Sequence, residues 1–146
     1  MTGTPPIVAA PTETAALYVG VPSFLISSTV IGIIAQRLLR KICPACKRER
    51  SLSNDELEYL GLKSATKVSY GAGCPECRGT GYKGRTGIFE VLDVSDAVKA
   101  AVSERPDLAN LQAVARNDGM VPLRDLAIRK MQEGITTYEE VIAVTG

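Results

Sequence analysis

Apolar residues dominate the first stretch of the chain in which a regular pattern occurs. Thr14 to Gln36 carries no charged residue. A membrane-spanning helix usually needs about 20 uninterrupted apolar residues. Here Gly20, Pro22 and three adjacent hydroxyl side chains interrupt the run, so we expect no transmembrane segment. The apolar residues recur at helical spacing, which predicts a buried helix from about Ser23 to Arg40. That helix would be apolar nearly all round, so it would need a large partner surface.

The last third of the chain has the pattern of amphipathic helices. Apolar residues recur every three or four positions, and a capping residue or a proline precedes each stripe. The four predicted helices begin at Ser95, Asp107, Pro122 and Thr137. In the last of them, Glu140 stands three residues after Thr137 and completes a capping box. Such stripes are typical of a packed core, so they predict a small C-terminal helical bundle and no chemistry.

The middle of the chain has shorter patterns. Ser53 and Glu56 form a second capping-box signal, which predicts a short helix that ends at Gly61. Lys67 to Tyr70 and Thr86 to Leu92 have the pattern of strands. Together these patterns predict an α+β chain that is mainly helical.

Length, charge and composition exclude few functions. The chain has 146 residues, enough for one domain or two small ones, and its net charge of +1 provides no overall attraction to nucleic acid or anionic lipid. It contains no histidine, no phosphate loop of the form G-x-x-x-x-G-K-S/T and no evident catalytic constellation. Gly79, Gly81 and Gly84 match G-x-G-x-x-G, but they open a predicted strand rather than a helix. We therefore interpret them as part of a metal-binding loop rather than a dinucleotide site.

All four cysteines occur in two short motifs. Cys43-Pro-Ala-Cys46 and Cys74-Pro-Glu-Cys77 are separated by 27 residues. Two residues between cysteines let one tight turn direct both sulfur atoms to the same ion, and two such turns complete the tetrahedral ligand set that Zn²⁺ prefers. Because the chain has no histidine, four thiolates are the only ligand set of this kind. A closed four-thiolate site leaves no position for water, so the predicted zinc site is structural rather than catalytic.

Disulfides and a redox-active CxxC motif are alternatives for these cysteines. Met1 to Pro6 lacks the charged and apolar regions of a signal peptide, so an oxidising compartment is not indicated. A redox site would need one cysteine pair in a strand-to-helix setting. Two pairs, each with proline after its first cysteine, fit zinc better.

Basic residues surround the cysteine motifs. The cations beside the pairs are Lys41, Lys47, Arg48, Arg78, Lys83 and Arg85. Zinc with four thiolates carries a charge of about −2, which these cations would offset. A nucleic-acid patch is the alternative, since six lysines and arginines against one glutamate lie between Arg37 and Arg50. The near-neutral net charge and the few aromatic residues for base stacking count against it.

Several motifs in combination resemble one protein family. They are Gly20-Val-Pro-Ser-Phe-Leu-Ile-Ser-Ser28, Ile34-Ala-Gln-Arg-Leu38, the two cysteine motifs, Arg78-Gly-Thr-Gly-Tyr-Lys-Gly-Arg-Thr-Gly-Ile-Phe-Glu90 and Gly134-Ile-Thr-Thr-Tyr-Glu-Glu-Val141. From about Ala16 to its end, the chain resembles the C-terminal part of the type II secretion and type IV pilus assembly ATPases. The segment Cys74-x-x-Cys77-x-Gly-x-Gly81 also resembles the zinc repeat of the J-domain co-chaperones. That repeat occurs only once here and the chain has no His-Pro-Asp signature, so this resemblance is the weaker one.

The secretion resemblance implies a hexameric, RecA-like motor in the bacterial cytoplasm, peripheral to the inner membrane. Such a motor docks on an inner-membrane platform protein and hydrolyses ATP with Mg²⁺ to drive protein secretion or pilus assembly. The ligand positions of the family's tetracysteine zinc module fall on Cys43, Cys46, Cys74 and Cys77. Gln36 and Arg37 fall on a motif near the family's nucleotide-binding core, and no role is carried over to them.

The resemblance also implies a division of the chain. Residues 1–15 are expected to be a disordered lead-in, 16–40 the terminal helix of a truncated RecA-like motor domain, 41–92 the zinc module and 93–146 a C-terminal helical subdomain. The family's Walker A, Walker B and histidine motifs precede this part and match no residue of the chain. We therefore expect the back end of a motor, in which ATP and Mg²⁺ bind only to a full-length member and which does not hydrolyse ATP alone. A free-standing zinc ribbon that binds nucleic acid or protein is the alternative function.

Overall fold

The computed structural model describes residues 22–104 and 107–146. Within them the chain forms six α helices and four β strands, so the predicted α+β class is confirmed. The helices are α1 (Ser23–Thr29), α2 (Asn54–Leu60), α3 (Asp96–Glu104), α4 (Leu108–Asn117), α5 (Leu123–Gln132) and α6 (Tyr138–Thr145). The strands are β1 (Gly32–Ile42), β2 (Lys47–Ser51), β3 (Lys67–Gly71) and β4 (Tyr82–Asp93). None of the described helices combines the length and the apolar character needed to cross a membrane.

The helix predicted from Ser23 to Arg40 is wrong beyond its first two turns. Helix α1 ends at Thr29, and the chain continues as strand β1 from Gly32. The hydroxyl groups of Ser27, Ser28 and Thr29 all donate to backbone carbonyl oxygens within α1, at 2.6–3.2 Å. Hydroxyl side chains that bond to the backbone in this way weaken a helix interior, and three in succession stand where this helix ends.

Strand β1 replaces the second half of the predicted helix because it pairs with β4. Over most of β1 exposed side chains alternate with half-buried or buried ones, which is the period of two expected for a strand. The segment Val30-Ile-Gly-Ile-Ile34 is also rich in β-branched residues, which favour strands. Apolar residues lie on both faces of β1, so their spacing in the sequence also matched a helix.

Two small sheets position the cysteine motifs. β1 pairs with β4, while β2 pairs antiparallel with β3, with Lys47 opposite Gly71 and Ser51 opposite Lys67. The predicted strands at the positions of β3 and β4 are confirmed, although β4 begins earlier than expected. β2 was not predicted from the pattern. The first cysteine motif connects β1 to β2, and the second connects β3 to β4.

The chain divides into two compact units. Of the described residues, the first unit contains those up to Ala35 and those within Glu90–Pro122, and the second contains Gln36–Phe89 together with Leu123–Gly146. Strands β1 and β4 therefore contribute residues to both units. The helices of the predicted C-terminal subdomain are divided, since α3 and α4 belong to the first unit and α5 and α6 to the second. The predicted lead-in, residues 1–15, lies outside the described residues.

Helices α1, α3 and α4 build the core of the first unit. α3 packs against both α1 and α4. The buried side chains of this core are Ile26, Leu92, Val94, Val98, Ala101, Val102, Leu111 and Ala115. Both predicted caps are confirmed: Ser95 Oγ accepts from the Val98 N–H and the Asp107 carboxylate accepts from the Ala109 N–H, each at 3.2 Å.

In the second unit, α5 packs against α6 and β3. Leu39, Met131 and Val141 are completely buried. The connection between α5 and α6 joins the end of β1, since the Ile42 N–H donates to the Ile135 carbonyl oxygen at 2.9 Å. The C-terminal helices are thus tied to the strand that leads into the first cysteine motif.

Helix α2 has the ends that its sequence predicts. Ser53 Oγ accepts from the Glu56 N–H at 3.3 Å, and the Glu56 carboxylate accepts from the Ser53 N–H at 2.8 Å. Gly61 ends the helix in the left-handed region, with φ of 70°, where glycine avoids the clash that a Cβ would make.

The neighbours Leu38 and Leu39 test the strand assignment of β1. Leu39 is 0% exposed and Leu38 is 53% exposed. We expect Leu39→Ala to lower the free energy of unfolding by about 2–5 kcal/mol, because it leaves a cavity. The control, Leu38→Ala, should change it by no more than about 0.5 kcal/mol. Urea unfolding followed by circular dichroism would measure the free energy of unfolding of both variants. Equal losses of stability would contradict the alternation of exposed and buried side chains along β1.

Candidate metal centre

The structure brings all four cysteine side chains into one cluster. The Sγ–Sγ distance is 3.9 Å between Cys43 and Cys74, 3.8 Å between Cys46 and Cys77 and 3.7 Å between Cys74 and Cys77. All four sulfur atoms lie within 4.8 Å of one another. None of the cysteines is in a disulfide, so the disulfide alternative is not the arrangement found here.

Each cysteine motif forms the same local structure. The two residues after the first cysteine and the second cysteine itself make a single 3₁₀ turn, Pro44–Cys46 in one motif and Pro75–Cys77 in the other. Proline suits the first turn of a helix because its fixed φ is already helical and its missing N–H would have no helical partner there. Both sulfur atoms of a motif are thereby directed to the same side of the turn.

Backbone hydrogen bonds connect the two turns. The Cys43 N–H donates to the Gly81 carbonyl oxygen at 2.9 Å, and the Ala72 N–H donates to the Cys46 carbonyl oxygen at 3.0 Å. A Cβ added to Gly71 would lie 2.0 Å from the Gly81 oxygen, so this approach requires glycine. The glycine-rich segments therefore allow the two cysteine loops to pack closely against each other.

The electrostatic environment differs among the thiols. Burial raises the pKa of the Cys46 thiol to about 12. Burial acts in the same direction on Cys77, but N–H donors from Cys74 and Gly81, each 3.2 Å from its sulfur, favour the thiolate and lower its pKa to about 6. Four thiolates this close repel one another, so full ionisation of the cluster requires a cation in contact with it.

The cluster fits a zinc ion. A tetrahedron of Zn–S bonds of about 2.3 Å has edges of about 3.8 Å, and three of the sulfur–sulfur distances lie within 0.1 Å of that value. Cys43, Cys46 and Cys77 are buried and Cys74 is half-buried. These four residues could hold a metal ion with no open coordination position, which is typical of a structural site.

The cations beside the cluster have different partners. Lys83 Nζ lies 3.1 Å from the Glu76 carboxylate, which, together with the nearby Cys43 and Cys74, raises the pKa of Lys83. Arg40 and Arg50, which belong to the predicted basic run, form ion pairs with glutamates instead. The basic run is therefore partly neutralised by carboxylates.

Glu140 has a role that the sequence pattern missed. Thr137 Oγ1 accepts from the Glu140 N–H at 3.2 Å, as the predicted capping box requires. The buried Glu140 carboxylate, however, accepts from the backbone N–H of Arg40 at 2.9 Å and from its Nε at 2.7 Å. Only half of the capping box is present, because the carboxylate binds β1 instead of its own helix end. No local pattern shows this pairing, since the two residues are 100 positions apart.

Tyr82 completes the same group of contacts. The Arg40 guanidinium lies 4.1 Å from the centroid of the Tyr82 ring, and the Tyr82 hydroxyl is 2.7 Å from Thr137 Oγ1. Thr136 Oγ1 donates to the Arg40 carbonyl oxygen at 2.8 Å. These contacts bind the N-terminal end of helix α6 to β1, which leads into the first cysteine motif, and to β4, which follows the second.

Arg50 forms a second connection to α6. It donates to both oxygens of Glu56 at 2.7 and 2.8 Å and to Glu139 at 2.9 Å. Its hydrogen bonds hold the pKa of Glu56 at about 2, well below the ordinary value of 4.5. Arg50 therefore connects β2 with α2 and α6.

The other residues singled out from the sequence lie apart from this chemistry. Gln36 is exposed, and Arg37 donates to the Gln36 carbonyl oxygen at 3.4 Å. The glycine-rich segment 79–84 continues into strand β4 rather than a helix, so its geometry is not that of a dinucleotide site.

The chain is similar to bacterial secretion and pilus assembly proteins over most of its length. A sequence model of the family described as "Type II/IV secretion system protein" matches residues 10–143. The chain is 41% identical over 130 residues to the Type IV pilus assembly ATPase PilB of Thermus thermophilus, covering 86% of this chain and 15% of that protein. It is 39% identical over 141 residues to PilB of Pseudomonas aeruginosa, covering 94% and 25%. It is 38% identical over 128 residues to the Type II secretion system protein E of the same organism, covering 86% and 25%. The chain therefore spans 15–25% of the length of these relatives.

Metal content tests the cysteine cluster directly. We expect the purified chain to contain one zinc ion, and a thiol assay to detect four additional reactive thiols after chelation, since all four sulfur atoms are ligands. Cys43→Ser should lose the metal, and hydrogen exchange should then accelerate in α5 and α6. Helices α3 and α4 belong to the other unit and serve as the internal control. A chain without metal, or four reactive thiols before chelation, would refute the zinc site.

Acid should weaken the contact between Arg50 and Glu56. A carboxyl group with a depressed pKa stabilises the fold above its unfolded pKa, here about 4.5, and this stabilisation is lost as the pH falls toward about 2. We expect Glu56→Gln to cost about 1–3 kcal/mol at pH 6, with a difference from the original protein that shrinks between pH 4.5 and 2. Glu58→Gln, an exposed position on the same helix, is the control. A pH-independent difference for Glu56→Gln would contradict the ion pair.

Proposed function

The chain belongs to the type II/IV secretion system protein family, and we propose that it forms the C-terminal, zinc-binding part of an ATPase that powers type II protein secretion or type IV pilus assembly. The proposal is carried by one observation: the segment that matches secretion and pilus ATPases over 86% of the chain brings its four cysteine sulfur atoms within 4.8 Å. In this proposal Cys43, Cys46, Cys74 and Cys77 are the ligands of a structural zinc ion.

The proposed zinc ion stabilises the second unit rather than taking part in chemistry. The two cysteine motifs connect two sheets of only two strands each, and an isolated two-stranded sheet is at best marginally stable in water. A metal that binds only the folded arrangement adds its binding free energy to folding. The zinc would thereby hold β1 and β4 where α6 contacts them through Arg40 and Tyr82.

Exposed apolar side chains on strands β1 and β4 support the view that the chain packs within a larger RecA-like motor domain. Ile34, Leu38, Phe89 and Val91 are all more than half exposed. Several large apolar side chains left exposed to solvent are typical of a chain that contacts another part of a protein. In this proposal residues 16–40 belong to the motor domain, which forms a hexamer in the bacterial cytoplasm and docks on an inner-membrane platform protein.

ATP hydrolysis is assigned to the full-length family member and not to this chain. Phosphoryl transfer needs a phosphate cradle, a bridging metal ion and a positioned water molecule. The sequence contains no phosphate loop and no histidine. A zinc ion bound by the four cysteines would have no coordination position left for ATP or water, so the cysteine cluster cannot supply the bridging metal ion of phosphoryl transfer.

A zinc ribbon that binds nucleic acid is the second candidate, and the structure gives it less support. Its basis is the run of cations from Arg37 to Arg50. Arg40 is paired with Glu140, and Arg50 is paired with Glu56 and Glu139. Fewer cations therefore remain for phosphates than the sequence suggested. A gel-shift titration at low salt with duplex and single-stranded DNA and RNA should show no binding.

Exchange of the matching segment between proteins tests the proposed function. We would replace the matching C-terminal quarter of Pseudomonas aeruginosa PilB, and separately that of its Type II secretion system protein E, with this chain. One hybrid should restore pilus assembly or type II secretion to a strain lacking the corresponding protein, and the hybrid that works identifies the system. Cys77→Ser should abolish the restored activity.

Controls make either result of this exchange interpretable. Each hybrid protein is purified and its zinc content and ATP hydrolysis are measured, while the isolated chain should show no ATP turnover. Hybrids that fold, contain zinc and restore neither process would contradict the proposal. Measurable ATP turnover by the isolated chain would contradict the assignment of hydrolysis to the full-length protein.

A further inference from the structure

The second unit contains a cavity next to the cysteine cluster that the proposed function does not use. It has a volume of about 530 Å³ and is lined by Arg40, Thr80, Tyr82, Gly84 and Arg85. It is widely open to solvent, so a ligand bound there would lie in a surface groove. Two arginines in one cavity indicate an anionic ligand, because guanidinium groups match the geometry of oxyanions.

Arg40 is held rigidly at this cavity. Its Nε donates to Glu140 at 2.7 Å, its Nη2 lies 2.5 Å from the same carboxylate, and its plane lies over the Tyr82 ring. Its Nη1 has no partner among the described residues. A cation fixed in this way loses little conformational entropy when it binds a ligand.

Arg85 supplies a charge that is not neutralised. Lys41 and Arg85 lie on the paired strands β1 and β4, and among the described residues the side chain of neither one forms a hydrogen bond or an ion pair. A Cβ added to Gly84 would meet only Lys41 Cδ, at 4.0 Å, so the backbone beside Arg85 is open. Glu140 already neutralises Arg40, so Arg85 is the unpaired cation of the lining, and Lys41 adds a second unpaired charge beside Gly84.

We propose that this cavity binds a phosphate group, with Arg85 and the free edge of Arg40 as its main donors. A phosphate monoester carries a charge of about −2 near neutral pH, which matches the two unpaired cations, whereas a carboxylate carries only one charge. Thr80 does not compete for this role, because its hydroxyl group donates to the Cys77 carbonyl oxygen at 2.7 Å. The site does not depend on the proposed secretory function.

The simpler explanation is that Arg85 only offsets the charge of the zinc–thiolate complex. The two explanations predict different results for Arg85→Gln. If Arg85 serves the thiolates, its loss should weaken zinc retention against a chelator and leave phosphate binding unchanged. If it binds phosphate, zinc retention should stay the same and phosphate binding should weaken.

Titration of the zinc-containing chain with sodium phosphate, at constant ionic strength and pH 7.5, tests the proposal. We expect saturable shifts in the NMR signals of the Gly84 and Arg85 amides. Arg85→Gln should weaken binding by about tenfold or more, and Arg48→Gln, which changes an exposed arginine outside the cavity, should leave it unchanged. Shifts that do not saturate, or equal affinity in the Arg85 variant, would overturn the proposal.

Two further ligands identify the chemistry that the site prefers. Glycerol 3-phosphate that binds as well as inorganic phosphate would show that an esterified phosphate fits the cavity, and weaker binding would restrict the ligand to free phosphate. Acetate that binds as tightly as phosphate would contradict the proposal and indicate a carboxylate from a protein partner. The zinc content of every variant, measured in the same samples, separates loss of the site from loss of the metal.

Discussion

Four cysteine sulfur atoms within 4.8 Å of one another are the constraint on which the second unit depends. Thiolates at this distance repel one another, and buried thiolates have lost most of their hydration, so their full ionisation requires a cation between them. The backbone meets this requirement in part, through the N–H groups of Cys74 and Gly81 that point at the Cys77 sulfur. A zinc ion would meet the rest, and its binding free energy would hold together two sheets that are too small to be stable alone.

The cysteine cluster and helix α6 are parts of one connected structure. The same strand that carries Arg40 leads into Cys43, and the strand that begins with Tyr82 follows the second cysteine motif. Glu140 and Thr137 on the C-terminal segment bind these two residues. A change in the cysteine cluster should therefore alter the position of α6, because Arg40 and Tyr82, which contact the α6 segment, lie on the strands next to the cysteine motifs.

Local signals explain most of what the sequence predicted correctly. The caps at Ser53, Ser95 and Asp107 act over two or three residues, and their side chains find the same backbone groups in any fold that contains those helices. The helix predicted through Arg40 failed for the opposite reason. Its apolar spacing was compatible with a helix and with a strand, and pairing with β4, more than 40 residues away, decided between them.

The sequence by itself determined the candidate ligand set, because two CxxC motifs and the absence of histidine leave four thiolates as the chemical possibility. It also determined the positions of most helix ends, since capping is a local interaction. Only the tertiary structure decided that α3 and α4 separate from α5 and α6, and that Glu140 binds Arg40 instead of closing its own capping box. A buried carboxylate needs hydrogen-bond donors, and it binds those that the tertiary structure places next to it. The donor here lies 100 residues away in the sequence, so no local motif predicts the pairing.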